Sequence, residues 1–177
     1  MSSYQGRRDK LRKLIKKSGA GGFLVTNFTN VTYLTGFTGD DSFLLILPDR
    51  EVFLSDPRYT TQLKEECPGV DLAIRPPGTA MLKSIRKVLR PLGSVAVGFE
   101  SNAVTVDLHR LIAEEITRVE WLACEGLVEQ LRMVKDRDEI DSIRAAVAMA
   151  ERSFEVVRCG LRADETERAV ALSLIHI

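Results

Sequence analysis

Short apolar segments and amphipathic segments follow one another along most of the chain. Gly22–Thr26, Ser42–Leu47 and Glu51–Ser55 are short, apolar and rich in β-prone residues, a pattern typical of buried strands. The short connection Pro48-Asp49-Arg50 predicts that the last two strands form a hairpin. Asn30–Thr35 is β-branched and aromatic, so it predicts a further extended segment.

Beyond residue 70, predicted strands and predicted helices alternate. Strands are expected at Val70–Ile74, Ser94–Phe99 and Arg118–Leu122. Apolar positions three or four residues apart mark helices at Met81–Leu89 and Val104–Ile112. An early hairpin followed by such crossovers predicts the α/β class, with a mixed sheet flanked by helices.

The N-terminal segment is basic, with seven Lys and Arg residues between positions 7 and 17. Leu11, Leu14 and Ile15 interrupt these charges at the spacing of one helical face, whereas a signal peptide would carry an uninterrupted apolar run. We interpret the segment as a docked surface helix with a solvated basic face, ended by Ser18-Gly19. Binding of an anionic partner or an organelle address is the alternative.

A second structural region is predicted from residue 133 onward. Asp136 and Glu139 have the spacing of a capping box, and apolar residues recur every three or four positions from Ile140 to Val157. This pattern predicts one amphipathic helix of about 33 Å, ended by Gly160. So long an apolar stripe needs packing partners, so we expect a second domain with further elements beyond Ile177.

The last residues predict a second helix and an abrupt change of composition. Asp164 and Glu167 repeat the capping spacing, after which Leu172–Ile177 turns apolar. This hexapeptide matches a reading frame of a transposon end used in sequencing libraries, and we hypothesise that it is read-through from adapter DNA. An ordinary apolar helical turn is the alternative, and His176 is not proposed as a ligand. The predicted division is residues 1–132, 133–171 and 172–177.

Composition narrows the function classes. The chain has 177 residues, 45% of them apolar and 28% charged, and 25 basic residues balance 25 acidic ones. This is globular composition without the basic excess of a nucleic-acid-binding protein. The three cysteines are far apart and form no C-x-x-C pair, which favours a reduced, cytoplasmic location. No apolar run approaches the length of about 20 residues that a membrane span needs.

Motifs for catalysis are largely missing from the sequence. Apart from His176, His109 is the only histidine, and its helical, apolar surroundings indicate a structural role. The sequence contains no H-E-x-x-H, G-x-S-x-G, P-loop or G-x-G-x-x-G motif. We therefore predict neither a catalytic residue nor a metal ligand in this chain.

Two short segments remain as candidate sites. In the loop Gly36–Asp41, Phe37, Asp40 and Asp41 are candidates for a lid that excludes water or meets a charged amine; an ordinary solvated loop is the alternative. In Asp56-Pro57-Arg58-Tyr59, we predict a structural motif: Asp56 caps a helix, Pro57 takes its first position, Arg58 pairs locally and Tyr59 packs. A catalytic role for Arg58 or Tyr59 is the alternative.

Five segments, taken together and in order, resemble the proline-specific metallopeptidases. This family contains Xaa-Pro aminopeptidases and Xaa-Pro dipeptidases (prolidases), with creatinase as a relative. The similarity runs from about Asp9 to Ala171. The segments are Tyr33–Gly39 (YLTGFTG), Asp56–Tyr59 (DPRY), Val97–Glu100 (VGFE), Val128–Asp136 (VEQLRMVKD) and Glu139-Ile140 with Ile143-Arg144-Ala145.

The resemblance implies a creatinase-like N-terminal domain followed by the first helices of a truncated pita-bread catalytic domain. It implies a parent enzyme that removes an N-terminal residue preceding proline, with two divalent metal ions, manganese or cobalt, bound by two Asp, one His and two Glu. These ligands lie downstream of this chain in the family, so we expect this fragment to bind no metal and to be inactive. The implied partners are proline-containing peptides and further copies of the chain, with neither nucleic acid nor membrane.

The resemblance also strengthens the lid interpretation of Phe37, Asp40 and Asp41, because N-terminal loops of some members reach a neighbouring subunit's active site. It leaves three other functions open for the parent protein. These are an Xaa-Pro dipeptidase, a creatinase-type amidinohydrolase without the metal pair, and a non-catalytic paralogue that serves in binding or assembly.

Overall fold

The computed structural model describes residues 3–175, with side chains for 4–172. The chain divides into two compact units, Met1–Met133 and Val134–Ile177. The domain division predicted from the sequence, into residues 1–132, 133–171 and 172–177, stays a prediction.

The strands are β1 (Gly22–Val25), β2 (Phe43–Ile46), β3 (Glu51–Ser55), β4 (Asp71–Ile74), β5 (Val95–Glu100) and β6 (Val119–Cys124). The helices are α1 (Ser3–Lys17), α2 (Phe28–Thr35), α3 (Thr60–Glu66), α4 (Met81–Leu89), α5 (Val106–Glu115), α6 (Leu127–Met133), α7 (Arg137–Gly160) and α8 (Glu167–Ile175).

The six strands form one mixed sheet in the order β4-β3-β2-β1-β5-β6. Strand β2 is antiparallel to both of its neighbours, and every other neighbouring pair is parallel. Five strands therefore run in one direction and end at the same side of the sheet, which we call the carboxyl edge. The mixed α/β architecture and the early hairpin are confirmed.

Helices cover both faces of the sheet. Successive strand residues point to opposite faces, so Phe23 belongs to one core and Leu24 to the other. The first core includes Leu11 of α1 and Leu34 of α2, and the second includes Ile85 of α4. Because both of their faces are buried, the four inner strands β3, β2, β1 and β5 are mostly apolar instead of alternating, whereas the edge strands β4 and β6 also carry exposed residues. This explains why apolar runs located them correctly in the sequence.

The extended segment predicted at Asn30–Thr35 is wrong, because these residues belong to helix α2. The Asn27 side chain accepts the backbone N–H of Thr29 at 2.9 Å and caps the helix. At the other end, Gly36 adopts a left-handed conformation, φ 82°, and its N–H bonds the Thr32 carbonyl. Local caps and packing on the core outweigh the weak strand preference of the β-branched residues.

Helix α1 is confirmed, but its basic face is only partly solvated. The guanidinium of Arg7 donates to the Tyr33 carbonyl at 2.9 Å. That of Arg8 donates to the Leu34 carbonyl and to the Glu51 carboxylate, both at 2.9 Å. Both side chains are buried. The prediction of a solvated face is therefore wrong for these two residues, since they satisfy the free carbonyls at the end of α2.

In the second unit, the capping box at the start of α7 is confirmed. The Asp136 carboxylate accepts the Glu139 N–H, and the Glu139 carboxylate accepts the Asp136 N–H, each at 3.0 Å. The predicted start of the next helix at Asp164 is wrong by a few residues. Helix α8 begins at Glu167, and the hydroxyl of Thr166 accepts the Ala169 N–H at its first turn.

The apolar stripe of α7 is largely exposed. Ile143, Val147 and Phe154 each expose about half or more of their side chain, whereas Val157 is buried. That this stripe packs on elements beyond Ile177 stays a prediction. Helix α8 continues to Ile175, while His176 and Ile177 lie outside the described residues. The origin of residues 172–177 stays a hypothesis.

Candidate functional site

Two groups of polar side chains lie at the carboxyl edge of the sheet. One joins the loop between α2 and β2 to the residues that follow β3 and β4, and we call it the loop cluster: Asp40, Asp41, Asp56, Arg58, Tyr59 and Arg75. The other joins the end of β5 to α2 and α6, and we call it the Asn30 network: Asn30, Glu100, Glu129 and Arg132.

Phe37 anchors the candidate lid loop in the hydrophobic core. Its side chain is fully buried, and its ring meets those of Phe53 and Tyr59 edge-on, with centroids 5.4 and 5.6 Å away. Gly39 passes between two of these rings, where a Cβ atom would lie 2.5 Å from Phe37 and 3.0 Å from Tyr59. Only glycine fits there. The loop is thus fixed at Phe37, which leaves its acidic end facing solvent.

Asp40 and Asp41 are exposed but already engaged. The Tyr59 hydroxyl donates a short hydrogen bond to the Asp40 carboxylate. The Arg58 guanidinium donates to the Asp41 carboxylate at 3.1 Å. Asp41 also has a backbone φ of 46°, in the left-handed region that non-glycine residues rarely adopt. Any movement of this loop therefore has to break contacts with Arg58 and Tyr59.

Asp56 lies at the centre of the loop cluster. It is the N-cap of a 3₁₀ turn, Pro57–Tyr59, and its carboxylate accepts the backbone N–H of Arg58 at 3.0 Å and the guanidinium at 2.9 Å. The other carboxylate oxygen lies 2.5 Å from Arg75. Arg75 was missed in the sequence, because only the parallel pairing of β3 with β4 places it beside Asp56.

The acid–base properties of this cluster favour binding over proton transfer. The backbone hydrogen bond from Arg58, helped by both arginines, lowers the pKa of Asp56 despite some burial. The hydrogen bond to Asp40 raises the pKa of Tyr59, with burial acting in the same direction. Tyr59 is therefore neutral at physiological pH and its proton is already donated to Asp40. A tyrosine in this state is a poor general base.

A second attachment holds the loop at Thr38. The Glu66 carboxylate accepts both the backbone N–H and the hydroxyl of Thr38 at 2.8 Å, and Gln62 donates to the same hydroxyl at 2.9 Å. Burial acts to raise the pKa of Glu66, but the hydrogen bonds from Thr38 and Gln62 lower it overall. Glu66 was also missed in the sequence, where it is one of two adjacent acids near the end of helix α3.

Glu100 is a buried carboxylate at the end of β5. It is 2% exposed, and one of its oxygens accepts the backbone N–H groups of Thr26 at 2.7 Å and Asn27 at 2.8 Å. The other accepts the Asn30 amide at 2.6 Å. These donors reach Glu100 because β1 and β5 are parallel neighbours that end at the same edge.

Asn30 connects Glu100 to helix α6. Its amide nitrogen also donates to the Glu129 carboxylate at 2.7 Å, and its amide oxygen accepts from Arg132 at 2.9 Å. Two segments that carried the resemblance, Val97–Glu100 and Val128–Asp136, therefore meet at Asn30. Asn30 was missed because its segment was predicted to be extended.

The pKa values of Glu100 and Glu129, the two carboxylates of the Asn30 network, are shifted in opposite directions. Burial raises the pKa of Glu100, although its backbone and amide donors act against this shift. Burial also acts on Glu129, but its hydrogen bonds, led by that from Asn30, lower the pKa overall. The partners of Glu100 named above are all donors, which is the arrangement that suits the ionised form.

The remaining titratable candidates do not form a catalytic group. His109 is half-buried, with its ring centroid 4.9 Å from that of Phe99. Burial raises the pKa of Cys67, which makes it a weak nucleophile. Among the side chains that the structure describes, those of residues 4–172, no three His, Cys, Asp or Glu side chains are grouped as a metal site would need. These residues do not fit a two-metal centre, and no catalytic step is assigned to them.

Among the helices of residues 3–175, none combines the length and the hydropathy required to cross a bilayer.

Sequence relatives are peptidases. The chain is 31% identical over 166 residues to the uncharacterized peptidase YqhT of Bacillus subtilis strain 168, covering 94% of this chain and 46% of the relative. It is 23% identical over 170 residues to the uncharacterized peptidase SERP1271 of Staphylococcus epidermidis, covering 91% and 46%. The chain thus spans about half the length of the curated relatives that it matches.

The solved structures that resemble this chain are also those of peptidases. The Xaa-Pro dipeptidase from Bacillus anthracis superimposes with a TM-score of 0.88 at 26% identity, over 97% of this chain and 48% of that one. The X-Pro aminopeptidase from Thermotoga maritima gives 0.82 at 29%, over 94% and 47%. The N-terminal domain of the cytoplasmic peptidase PepQ from Mycobacterium tuberculosis gives 0.65 at 34%, over 71% and 98%. With residues 7–134 matching the model of the Creatinase/Prolidase N-terminal domain, the chain belongs to that family.

Proposed function

We propose that this chain is the N-terminal part of a metal-dependent Xaa-Pro aminopeptidase, which removes an N-terminal residue that precedes proline. One observation carries the proposal. The chain matches both an Xaa-Pro dipeptidase and an X-Pro aminopeptidase over nearly its whole length, while covering about half of each. The exposed apolar stripe of α7 supports it, because Ile143, Val147 and Phe154 have the character of residues that pack on further structure.

The proposed substrates are proline-containing peptides. A peptide bond to proline has no N–H, and the ring fixes φ, so it suits a dedicated peptidase. In the parent enzyme, two divalent metal ions, manganese or cobalt, would activate water and polarise the carbonyl. We assign their ligands to the part of the parent beyond this chain. The fragment itself is proposed to be inactive.

The proposed contribution of this domain is the loop Gly36–Asp41. Phe37 supplies a fixed anchor, and Asp40 and Asp41 present carboxylates to solvent. Such carboxylates suit the ammonium group at a peptide's N-terminus. In a homo-oligomeric parent, this loop would lie near a neighbouring copy's active site. Location in the cytoplasm is proposed from the separate free cysteines.

The activity test compares this 177-residue chain with the full-length parent. Each is incubated with manganese and with an Ala-Pro dipeptide or an Ala-Pro-Ala tripeptide, and a chelator provides the control. We expect no turnover by the chain and chelator-sensitive release of alanine from the tripeptide by the parent. Preference for the dipeptide would assign a dipeptidase. Hydrolysis of creatine would assign an amidinohydrolase, and an inactive parent would indicate a binding or assembly role.

The loop assignment is tested with Asp40→Asn and Asp41→Asn in the parent. If the loop binds the substrate's ammonium group, the double variant should raise KM several-fold and leave kcat within about twofold. Asp49→Asn removes an exposed charge from the β2–β3 connection and is the matched control. Equal KM values for all three proteins would contradict a substrate-binding loop.

A further inference from the structure

We propose that Asn30 is a positioning residue, which fixes the orientation of helix α6 through Glu129 and Arg132. The geometry of the described residues carries this inference independently of the proposed peptidase activity. A side-chain amide offers two N–H donors and an acceptor oxygen with two lone pairs, all in one rigid plane. Asn30 donates from its nitrogen to two carboxylates and accepts from a guanidinium with its oxygen, so both of its donors and its acceptor oxygen are directed at fixed partners.

The partners of residue 30 require a side-chain amide at this position. A carboxylate would place a third negative charge against Glu100 and Glu129, and an apolar side chain would leave both carboxylates without this donor. Asn30 is fully buried, so water does not readily take its place. The ionisable partners that contact it are Glu100 from β5 and Glu129 and Arg132 from α6.

Helix α6 depends on such contacts for its direction. It has seven residues, too few to be stable alone. Val128 buries its side chain in the core beside α1 and α2, which attaches the helix. Apolar burial has little directional preference, however, whereas hydrogen bonds restrict angle and distance. Two bonds to Asn30 from residues three apart, Glu129 and Arg132, fix the rotation of α6 about its own axis.

This orientation matters because α6 is the last element of the first unit. It ends at Met133, and the second unit begins at Val134. The Asn30 network therefore holds the helix of the first unit that directly precedes the second unit in the sequence. If the parent is the proposed peptidase, Asn30 also influences catalysis from a distance; this last step rests on the proposed function.

The test uses Asn30→Asp in the 177-residue chain, with Gln130→Glu as the control. Both convert an amide into a carboxylate, but Gln130 is exposed on α6. Hydrogen exchange is measured on the amides of residues 127–133 and on the β2–β3 hairpin. At pH 7.5 we expect Asn30→Asp to accelerate exchange in α6 at least tenfold and in the hairpin less than twofold. Gln130→Glu should leave both unchanged.

Lowering the pH supplies a readout that a merely structural defect would not show. At about pH 5.5, after correction for intrinsic exchange, the new carboxyl should take up a proton and donate it to a neighbouring carboxylate. At least half of the lost protection of α6, on a logarithmic scale, should return. Equal acceleration in α6 and hairpin, no acceleration, or no recovery at low pH would each overturn the proposal.

Arg132→Met covers the case in which Asn30→Asp fails to fold. It removes the guanidinium and leaves the buried contacts of Glu100 intact, so exchange in α6 should rise three- to tenfold with the hairpin unchanged. Unchanged α6 exchange in this variant would also overturn the proposal. In a full-length parent with Xaa-Pro activity, Asn30→Asp should lower kcat at least tenfold at pH 7.5 and recover towards acid pH. A wild-type parent without activity would count against the proposed function alone.

Discussion

The loop cluster and the Asn30 network lie at the same edge of one sheet and use the same chemistry, but they differ in exposure. Each holds carboxylates with arginine and with backbone N–H groups. In the loop cluster, the side chains of Arg58 and Asp41 are 67% and 53% exposed. In the Asn30 network, Asn30 and Glu100 are 0% and 2% exposed.

This difference separates what each cluster is suited to do. Exposed ion pairs exchange readily with water and are screened by salt, so the Arg58–Asp41 pair of the loop cluster can open at small cost. A buried donor or acceptor that loses its partner finds no water, so the Asn30 network holds one arrangement. The first suits a loop that meets a ligand, and the second suits the fixing of helices.

The largest effect is expected at the one loop residue that is fully buried. Phe37→Ala removes a ring packed against Phe53 and Tyr59 and should lower the free energy of unfolding by about 3–5 kcal/mol. Urea denaturation measures it. Phe28→Ala, at an exposed aromatic residue, should cost far less. Similar losses for the two variants would show that Phe37 is not an anchor.

The second-largest effect is expected for Glu100, the buried carboxylate of the Asn30 network. At pH 7, Glu100→Ala leaves the N–H groups of Thr26 and Asn27 and the Asn30 amide without this acceptor, which should cost about 3 kcal/mol of unfolding free energy. Glu120→Ala, on the exposed side of β6, is the control for denaturation experiments. A loss below about 1 kcal/mol would mean that water enters and replaces the carboxylate.

An acid titration should distinguish Glu100, whose pKa is raised, from Glu66 and Glu129, whose pKa values are lowered. The pKa of Glu100 is raised above 4.5, so the stabilising contribution of its protonated form is lost as pH rises through the folded-state pKa and returns on acidification. The pKa values of Glu66 and Glu129 are lowered below 4.5, so their contributions are present at neutral pH and lost as pH falls through those values. Carbon-13 NMR of the side-chain carboxyls should show Glu100 titrating first as acid is added. The reverse order would contradict the burial of Glu100.

The smallest effect is expected within the loop cluster. Tyr59→Phe removes the hydroxyl that binds Asp40 and keeps the ring that packs on Phe37. The melting temperature should stay close to that of the wild type, because the lost bond is exposed. Hydrogen exchange at residues 38–41 should nevertheless increase. A melting temperature lowered as much as in Glu100→Ala would place the Tyr59 hydroxyl among the structural contacts.

Much of the fold was predictable because its causes lie within a few residues of one another. Apolar runs located the strands, since both faces of the sheet are covered by helices. Asp56 and Asp136 marked helix starts, since capping joins a side chain to an N–H two or three residues away. Helix α2 was mispredicted because Asn27 and Gly36, which lie outside Asn30–Thr35, decide its conformation.

The sequence by itself determined the α/β class, the family resemblance and the segments that carry polar motifs. Only the tertiary structure decided that Phe37 belongs to the core, that Arg75 meets Asp56, and that Asn30 joins Glu100 to Glu129 and Arg132. Glu100, Glu129 and Arg132 lie 70, 99 and 102 positions after Asn30 in the sequence. Their meeting depends on β1 lying beside β5, and strand order arises from the packing of the whole domain, which no short stretch of sequence encodes.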